Sequence, residues 1–331
     1  MRKWLLSGIV GALGLGMAFL PWAAVAAPAA SSAAAGSGGQ GLEISPPVIE
    51  LTADPGQTIT TQIRVRNVTQ GELIAKGKTD DFGAGTDEGG QPKLLLDETG
   101  ATRYSLKFWV PSVPDLDLAP QELKTATIKI VVPANAEPGG HYGVVRFTAV
   151  PPNLNGTGVA LSASVGTLVL LKVSGAVTDN LNLVELSTGL RTSPGTFVKQ
   201  NFFEHGPVDL VVRLRNDGSV HEDPRGSIVV TNMLGRTVST VPVNDKGGNV
   251  LPDSIRRFEQ RLDQKQLFGR YTAKLAIKYA DGKAISGTLS FWVVPWKLLL
   301  LMLLGLVVLF YLLRLGLRRY NAHIIAQAKR R

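Results

Sequence analysis

Along residues 42–290 the apolar side chains recur at every second position in short runs, and Gly, Pro, Asn and Asp break the runs apart. In 58–67, Ile59, Thr61, Ile63 and Val65 share one face while Thr60, Gln62, Arg64 and Arg66 share the other. Successive side chains of a strand point to opposite sides, so this spacing predicts a strand with one face in a core and one in water. Residues 124–132 repeat the pattern with Ala126, Ile128, Ile130 and Val132 inward, and 143–149 with Val145 and Phe147 inward. Half-buried antiparallel sheets alternate in this way. The run 168–173 is more continuously apolar, as a strand inside a sheet is, and it closes a first module near Gly175. No stretch of 42–290 sustains the 3.6-residue period of an amphipathic helix.

A second cycle follows. Leu210, Val212 and Leu214 alternate with Val211, Arg213 and Arg215, residues 228–230 form another run, and 271–279 turn Ala273, Leu275 and Ile277 inward. Tyr279-Ala280-Asp281-Gly282 supplies a tight turn into a last strand at 285–293. Two short matches tie the cycles together: Val65-Arg66-Asn67 with Leu214-Arg215-Asn216, and Gly140-His141-Tyr142 with Gly269-Arg270-Tyr271. The prediction is an all-β body of two tandem immunoglobulin-like sandwiches, 42–175 and 176–293, each of ordinary single-core size.

Both ends depart from this pattern. Residues 1–26 read as a signal peptide, with Arg2 and Lys3, an apolar run over 5–19, and Ala24-Val25-Ala26 at the cleavage site. Residues 27–41 form an Ala/Ser/Gly leader with too little apolar surface to fold. Residues 294–313 predict a transmembrane helix, its uncharged stretch running over 298–313. Trp292, Trp296 and Lys297 flank it on one side, and Arg314, Arg318 and Arg319 open a basic tail, 314–331, on the other. Basic residues beside a span stay cytoplasmic, so the expectation is a single-pass plasma-membrane protein with its β body outside and its C-terminus inside. Ile324 and Ile325, among basic residues, predict a short helix along the inner leaflet.

Charge then changes little. The net charge is +9, but Arg2, Lys3, Lys297, Arg314, Arg318, Arg319, Lys329, Arg330 and Arg331 account for nine of the 35 Lys and Arg, leaving 26 against 26 Asp and Glu. The body is near neutral, so the excess serves insertion and anionic lipid headgroups rather than nucleic acid. The absence of cysteine excludes disulfides, thiolate catalysis and Cys-ligated zinc.

Several motifs carry a resemblance. Ile44-Ser45-Pro46-Pro47 with Glu50, Asp54-Pro55-Gly56-Gln57, Val65-Arg66-Asn67, Pro133-Ala134 and Glu137-Pro138-Gly139-Gly140-His141-Tyr142-Gly143 together resemble the first domain of WxL-interacting proteins, envelope proteins of Gram-positive bacteria. The plan of signal, two immunoglobulin-like domains, membrane helix and basic tail is similar too, whereas 176–293 match the family's second domain only loosely. The resemblance implies peptidoglycan binding by the first domain, a partner protein for the second, and an adhesive or scaffolding role. Ile44-Ser45-Pro46, Gly56 and Val65-Arg66-Asn67 are also similar to the opening of pilus-assembly chaperones, which implies an assembly role instead. The same residues have structural uses: glycines for turns, prolines at strand ends, and Asn67 and Asn216 bonded to their own turns.

Candidate chemistry is sparse. No Gly-x-Ser-x-Gly, His-Glu-x-x-His or phosphate-binding glycine loop is present, so no enzyme, catalytic residue or cofactor is expected. Asp80, Asp81, Asp87 and Glu88, in a glycine-rich loop spanning 80–90, are the best oxygen donors for a calcium-sized cation but lack EF-hand spacing, and a solvated loop is favoured. The trio His221-Glu222-Asp223 points in three directions and cannot converge on a metal unaided. His141, in the Pro-Gly-Gly-His-Tyr segment, and His205 each read as surface turn residues, His323 lies in the tail, and Asn67-Val68-Thr69 and Asn155-Gly156-Thr157 are incidental glycosylation patterns. Tyr104, Phe108, Trp109, His141 and Tyr142 remain as binding candidates for a sugar or a partner's pocket. The expected function is a non-catalytic surface binding or scaffolding protein, with a membrane-tethered assembly factor as the alternative.

Overall fold

The computed structural model describes residues 41–96, 100–150, 163–193 and 196–328, and within the C-terminal helix it describes side chains as far as Asn321. The predicted signal peptide and nearly all of the leader, Asn155-Gly156-Thr157, the side chains of His323, Ile324 and Ile325, and Lys329, Arg330 and Arg331 lie outside the described residues.

The alternation becomes two β-sandwiches. In the first, β1 (Leu42–Ser45), β3 (Thr58–Asn67) and β7 (Leu123–Val131) form one sheet in the order β1-β3-β7. The facing sheet has the order β2-β9-β8-β4-β5: β2 (Val48–Ala53), β9 (Ser164–Val173), β8 (Gly139–Val150), β4 (Leu73–Ala84) and β5 (Pro92–Leu95), with β6 (Leu116–Leu118) also on β4. Ile63, Val65, Ala126, Ile128 and Ile130 meet Val145, Phe147 and Leu171 between the sheets, the faces the alternation predicts.

The second sandwich repeats the plan. One sheet has the order β11-β10-β13-β16, from β10 (Leu181–Ser193), β11 (Thr196–Lys199), β13 (Val208–Asn216) and β16 (Ser254–Leu262). The other has the order β12-β18-β17-β14-β15, from β12 (Phe202–Phe203), β14 (Arg225–Asn232), β15 (Thr237–Val243), β17 (Gly269–Tyr279) and β18 (Lys283–Val293). In each sandwich one early strand pairs parallel with the last, β2 with β9 and β12 with β18, while the other described ladders are antiparallel.

Asn67 and Asn216 do the same work at the ends of β3 and β13. The Asn67 Nδ2 donates to the Gly71 and Ala119 carbonyls at 2.7 and 3.0 Å, and its Oδ1 accepts from the Thr69 amide. The Asn216 Nδ2 donates to the Val220 and Val250 carbonyls at 2.7 and 2.8 Å, and its Oδ1 accepts from the Gly218 amide. Each buried amide thus satisfies carbonyls of its turn, with the Leu118 carbonyl in the first sandwich and those of Val220 and Val250 in the second shut away from water.

The structure corrects one expectation of the repeat. Gly139 pairs with Val173 and Gly269 with Val293, and both glycines begin their strands at positive φ, so they are equivalent. His141 is therefore the counterpart of Tyr271, and the sequence match of Tyr142 with Tyr271 is slipped by one residue. A one-residue slip reverses the face, and Tyr142 accordingly points out of its sandwich.

The only α-helix among the described residues, α1 (Trp296–Ala328), leaves β18 after Val294 and Pro295. Its stretch Trp296–Asn321 is long and apolar enough to cross a membrane, with a mean hydropathy of 2.7 and nothing buried against the β body. A spanning segment must satisfy its own backbone hydrogen bonds, which this uninterrupted helix does. The helix runs past the predicted end at Leu313, carries Arg314, Arg318 and Arg319, and continues through Ile324 and Ile325 rather than starting a second helix there.

Candidate functional site

Residues 101–110, joining β5 to β6, hold three of the five aromatic and histidine candidates. Asp81, on β4, accepts hydrogen bonds from the Leu106 and Lys107 amides, both at 2.9 Å, and its carboxylate lies 3.7 Å from the Lys107 ammonium. That buried carboxylate fixes a 3-10 turn at Lys107–Trp109. The Tyr142 amide donates to the Tyr104 carbonyl at 2.8 Å and ties the same loop to β8.

The turn presents Phe108, 57% exposed, beside a half-buried Trp109. Trp109 lies against the His141 ring, centroids 4.1 Å apart and planes tilted by 44°. His141, expected in a surface turn, is instead buried on β8, where it pairs with Leu171; its Nε2 donates to the Glu137 carbonyl at 3.1 Å, and burial pushes its pKa down. Together with Arg103, Asn135 and Glu137 these rings line an open hollow of about 710 Å³. The Arg103–Glu137 ion pair, 3.6 Å, stands at its mouth with both side chains well exposed. An aromatic shelf with polar groups at its rim suits a ligand that is apolar on one face and hydrogen-bonding at its edge.

Tyr104 and Tyr142 lie elsewhere. Alternation on β8 sends His141, Val145 and Phe147 into the sandwich and Tyr142 and Val144 to the opposite face. There they meet Phe82, Leu170 and Leu251 of the second sandwich, so β8 is buried on both sides over its first half. Tyr142 stands edge-on to His221 at 5.7 Å, and the Tyr104 hydroxyl donates to Asp253 at 2.6 Å. Burial, then the Asp253 carboxylate, pushes the Tyr104 pKa up to about 12. These two tyrosines are joint residues.

The acidic residues expected in a solvated loop are not all in one: the strand β4 takes in the first two. Asp80 and Asp81 belong to β4 and are buried; Asp80 pairs with Arg146 at 2.9 Å and Lys78 at 3.2 Å. Asp87 accepts from the Gly89 amide. Glu88 takes a two-pronged contact from Arg213 of the second sandwich, 2.6 and 2.7 Å, and that guanidinium holds its carboxyl below the usual range. Charged groups on strands persist because each has a partner, which spacing along the chain does not reveal. Among the described residues no three His, Asp or Glu converge as a metal site. His221 enters the joint, Glu222 is buried, and Asp223 pairs with Arg225.

The joint between the sandwiches is well bonded. Besides Glu88–Arg213 and Tyr104–Asp253, the Gly140 amide donates to the Ser219 carbonyl at 2.8 Å, and Asn249 Nδ2 donates to Glu50 at 2.6 Å. Gly139 is required here: at φ +139° a Cβ would stand 2.9 Å from the Ser219 carbonyl oxygen. Beside these bonds lies a cleft of about 410 Å³ lined by Glu50, Phe82, Leu170, Asn249, Leu251 and Arg256. Sequence reasoning missed Arg103, Asn135 and this joint; the quoted motif Glu137-Pro138-Gly139-Gly140 was the one signal near both.

At the other end, Trp292 and Trp296 are about half exposed, and Lys297 pairs with Glu204 at 2.8 Å. Arg314, Arg318 and Arg319 sit along α1, Arg318 one turn beyond Arg314.

Fold and hollow define a class: a two-sandwich β protein with an exposed aromatic site and one apolar helix long enough to cross a membrane. No protein-family model and no curated protein matches the chain. Similar solved structures include the class 5 fimbriae chaperone CfaA, with 15% identity, 77% of this chain and 99% of that one covered, and a TM-score of 0.36. The E. coli chaperone DraB has 11% identity, covers 75% and 98%, and has a TM-score of 0.35. The CsuC–CsuE chaperone–subunit pre-assembly complex of Acinetobacter baumannii has 12% identity, covers 75% and 97%, and has a TM-score of 0.34. Likeness at this level carries no argument about what the chain binds.

Proposed function

We propose that this chain is a non-catalytic, membrane-anchored binding or scaffolding protein of the cell surface, whose first sandwich offers the Phe108/Trp109 hollow to peptidoglycan-type glycan or to an envelope protein. The supporting observation is the 3-10 turn pinned by Asp81, which holds a large aromatic ring 57% exposed over an open hollow. A ring held out of the core on a rigid turn loses little entropy on binding. The basic residues after the apolar stretch support a cytoplasmic C-terminus with the sandwiches outside. The motif resemblance to WxL-interacting proteins agrees with this reading.

The test reconstitutes the full chain in nanodiscs and spins it with washed insoluble peptidoglycan or with envelope extract. Phe108→Ala with Trp109→Ala is expected to weaken co-sedimentation by about tenfold or more, as loss of an aromatic hot spot does. Unchanged binding by the double variant would remove the hollow from the function.

A second reading is a tethered assembly factor. Edge strand β7 favours it, because among the described strands it pairs with β3 alone and exposes Leu123 and Val131 at its ends. Such an edge can accept a further strand. Capture of strand-lacking surface subunits without glycan binding is the outcome that would favour this role.

A further inference from the structure

We infer that the helix-proximal end of the second sandwich is a lipid-docking face, seated in the interfacial layer of the outer leaflet by Phe202, Met233, Leu234, Phe268, Trp292 and Trp296. The inference rests on α1 being a membrane anchor and adds a second, separate membrane contact made by the β body.

The residues come from four places in the chain. Met233 and Leu234 tip the β14–β15 hairpin, and Phe268 precedes β17. Phe202 and Trp292 are paired neighbours on β12 and β18, and Trp296 opens α1. Pairing brings them to one end: Asn232 faces Tyr271, Gly269 faces Val293, and the Met233 methyl lies against Gly269. Exposure runs from 48% at Trp296 to 75% at Leu234. Water-facing loop tips are usually polar, so six large apolar residues converging on one end call for a cover.

The tether decides which cover. Only Val294 and Pro295 separate β18 from α1, so this end cannot leave the bilayer surface by more than a few residues' reach. The Trp292 amide donates to the Asn201 carbonyl and the Val294 amide to the Phe203 carbonyl, which bind the strand end to the patch. Trp at a helix entry and Met, Leu and Phe beside it have the chemistry of the interface. Exposed Arg236, Lys265 and Arg270 surround them, suited to phosphate headgroups. The acidic groups there are paired, Glu204 with Lys297 and Asp263 with Arg261. The first sandwich joins at the opposite end, where Lys283 contacts Asp179 of the connecting segment, about 36 Å away along the eleven residues of β17. A seated second sandwich therefore holds the hollow at a set height and orientation above the membrane.

The chain has no cysteine, which allows single-cysteine labelling of the full-length protein. An environment-sensitive fluorophore is placed at Leu234→Cys, Phe268→Cys, Asp281→Cys on the far turn, and Leu309→Cys within α1, in phosphatidylcholine–phosphatidylglycerol vesicles containing lipids quenching at shallow or deep positions. The Leu234 and Phe268 probes are expected to shift blue and to be quenched about twofold or more by the shallow quencher. Asp281 should be untouched, and Leu309 should respond to the deep quencher. Water-like spectra at Leu234 and Phe268 with Leu309 quenched would overturn the seat and leave the anchor standing. A Leu309 probe that is also unquenched would sink the anchor and the seat together. Leu234 is almost bare of protein contact, so its labelling tests the seat even if a label at Phe268 disturbs the fold.

Discussion

The two sandwiches share a strand plan, β11 apart, and differ where His141 stands in one and Tyr271 in the other. In the second, Tyr271 stacks on Phe291 at 5.6 Å, Phe291 meets Phe203 at 5.9 Å, and the three rings plug that end of the core. In the first, the equivalent position is His141, whose ring lies against Trp109 at the floor of an open hollow. The same strand position thus closes one core and opens the other onto a site. The exchange is possible because the β5–β6 connection of the first sandwich brings its own aromatics, so the histidine stays covered while Phe108 does not. A second difference lies near Asn67 and Asn216. Leu73, facing Leu118, corresponds to Glu222, facing Val250, so the second sandwich buries a carboxyl where the first places a leucine.

The largest effect should come from the feature the sandwiches share. Asn67→Ala and Asn216→Ala each orphan buried carbonyls and should each cost about 2–4 kcal/mol, measured by urea unfolding of the detergent-solubilised chain. A cost at one position and none at the other would break the equivalence. Next, Tyr271→His should cost about 2–3 kcal/mol by opening the ring plug, whereas His141→Tyr should cost less and abolish ligand binding by filling the hollow. Equal costs would mean that His141 is also a core plug.

The smallest effect is pH-dependent. Burial, then the neighbouring Asp179 carboxylate, lifts the Glu222 carboxyl to about 7. An unperturbed glutamate titrates at about 4.5, so between those values the folded chain holds a proton that the unfolded chain lacks. Stability therefore falls as pH rises through that window, and the cost is full above about 7. Glu222→Leu, which borrows the residue of the first sandwich, should gain on the order of 1–2 kcal/mol at pH 8 and almost nothing at pH 4, read from denaturant midpoints. A pH-independent gain would assign the effect to packing.

Much of the body was legible in one dimension. Alternation named the inward residues of β3, β7 and β17, the Tyr279–Gly282 turn stood out, and an uncharged run marked the helix. Each of these follows from local chemistry repeated with a fixed period, which a linear text displays. Of the five binding candidates legible in the sequence, Phe108, Trp109 and His141 meet at the hollow, whereas Tyr104 and Tyr142 belong to the joint.

The amino-acid order by itself determined the strands, their inner faces and the helix, because period and hydrophobicity are properties of neighbours along the chain. Tertiary structure alone decided that Asp81 is a clamp rather than a ligand, that β8 has no wet face over its first half, and that six exposed apolar residues from strands, loops and the helix start gather around the helix exit. Those facts depend on partners far away in sequence, such as Glu88 with Arg213, and a buried charge or an exposed ring acquires its meaning only from what lies across from it in space.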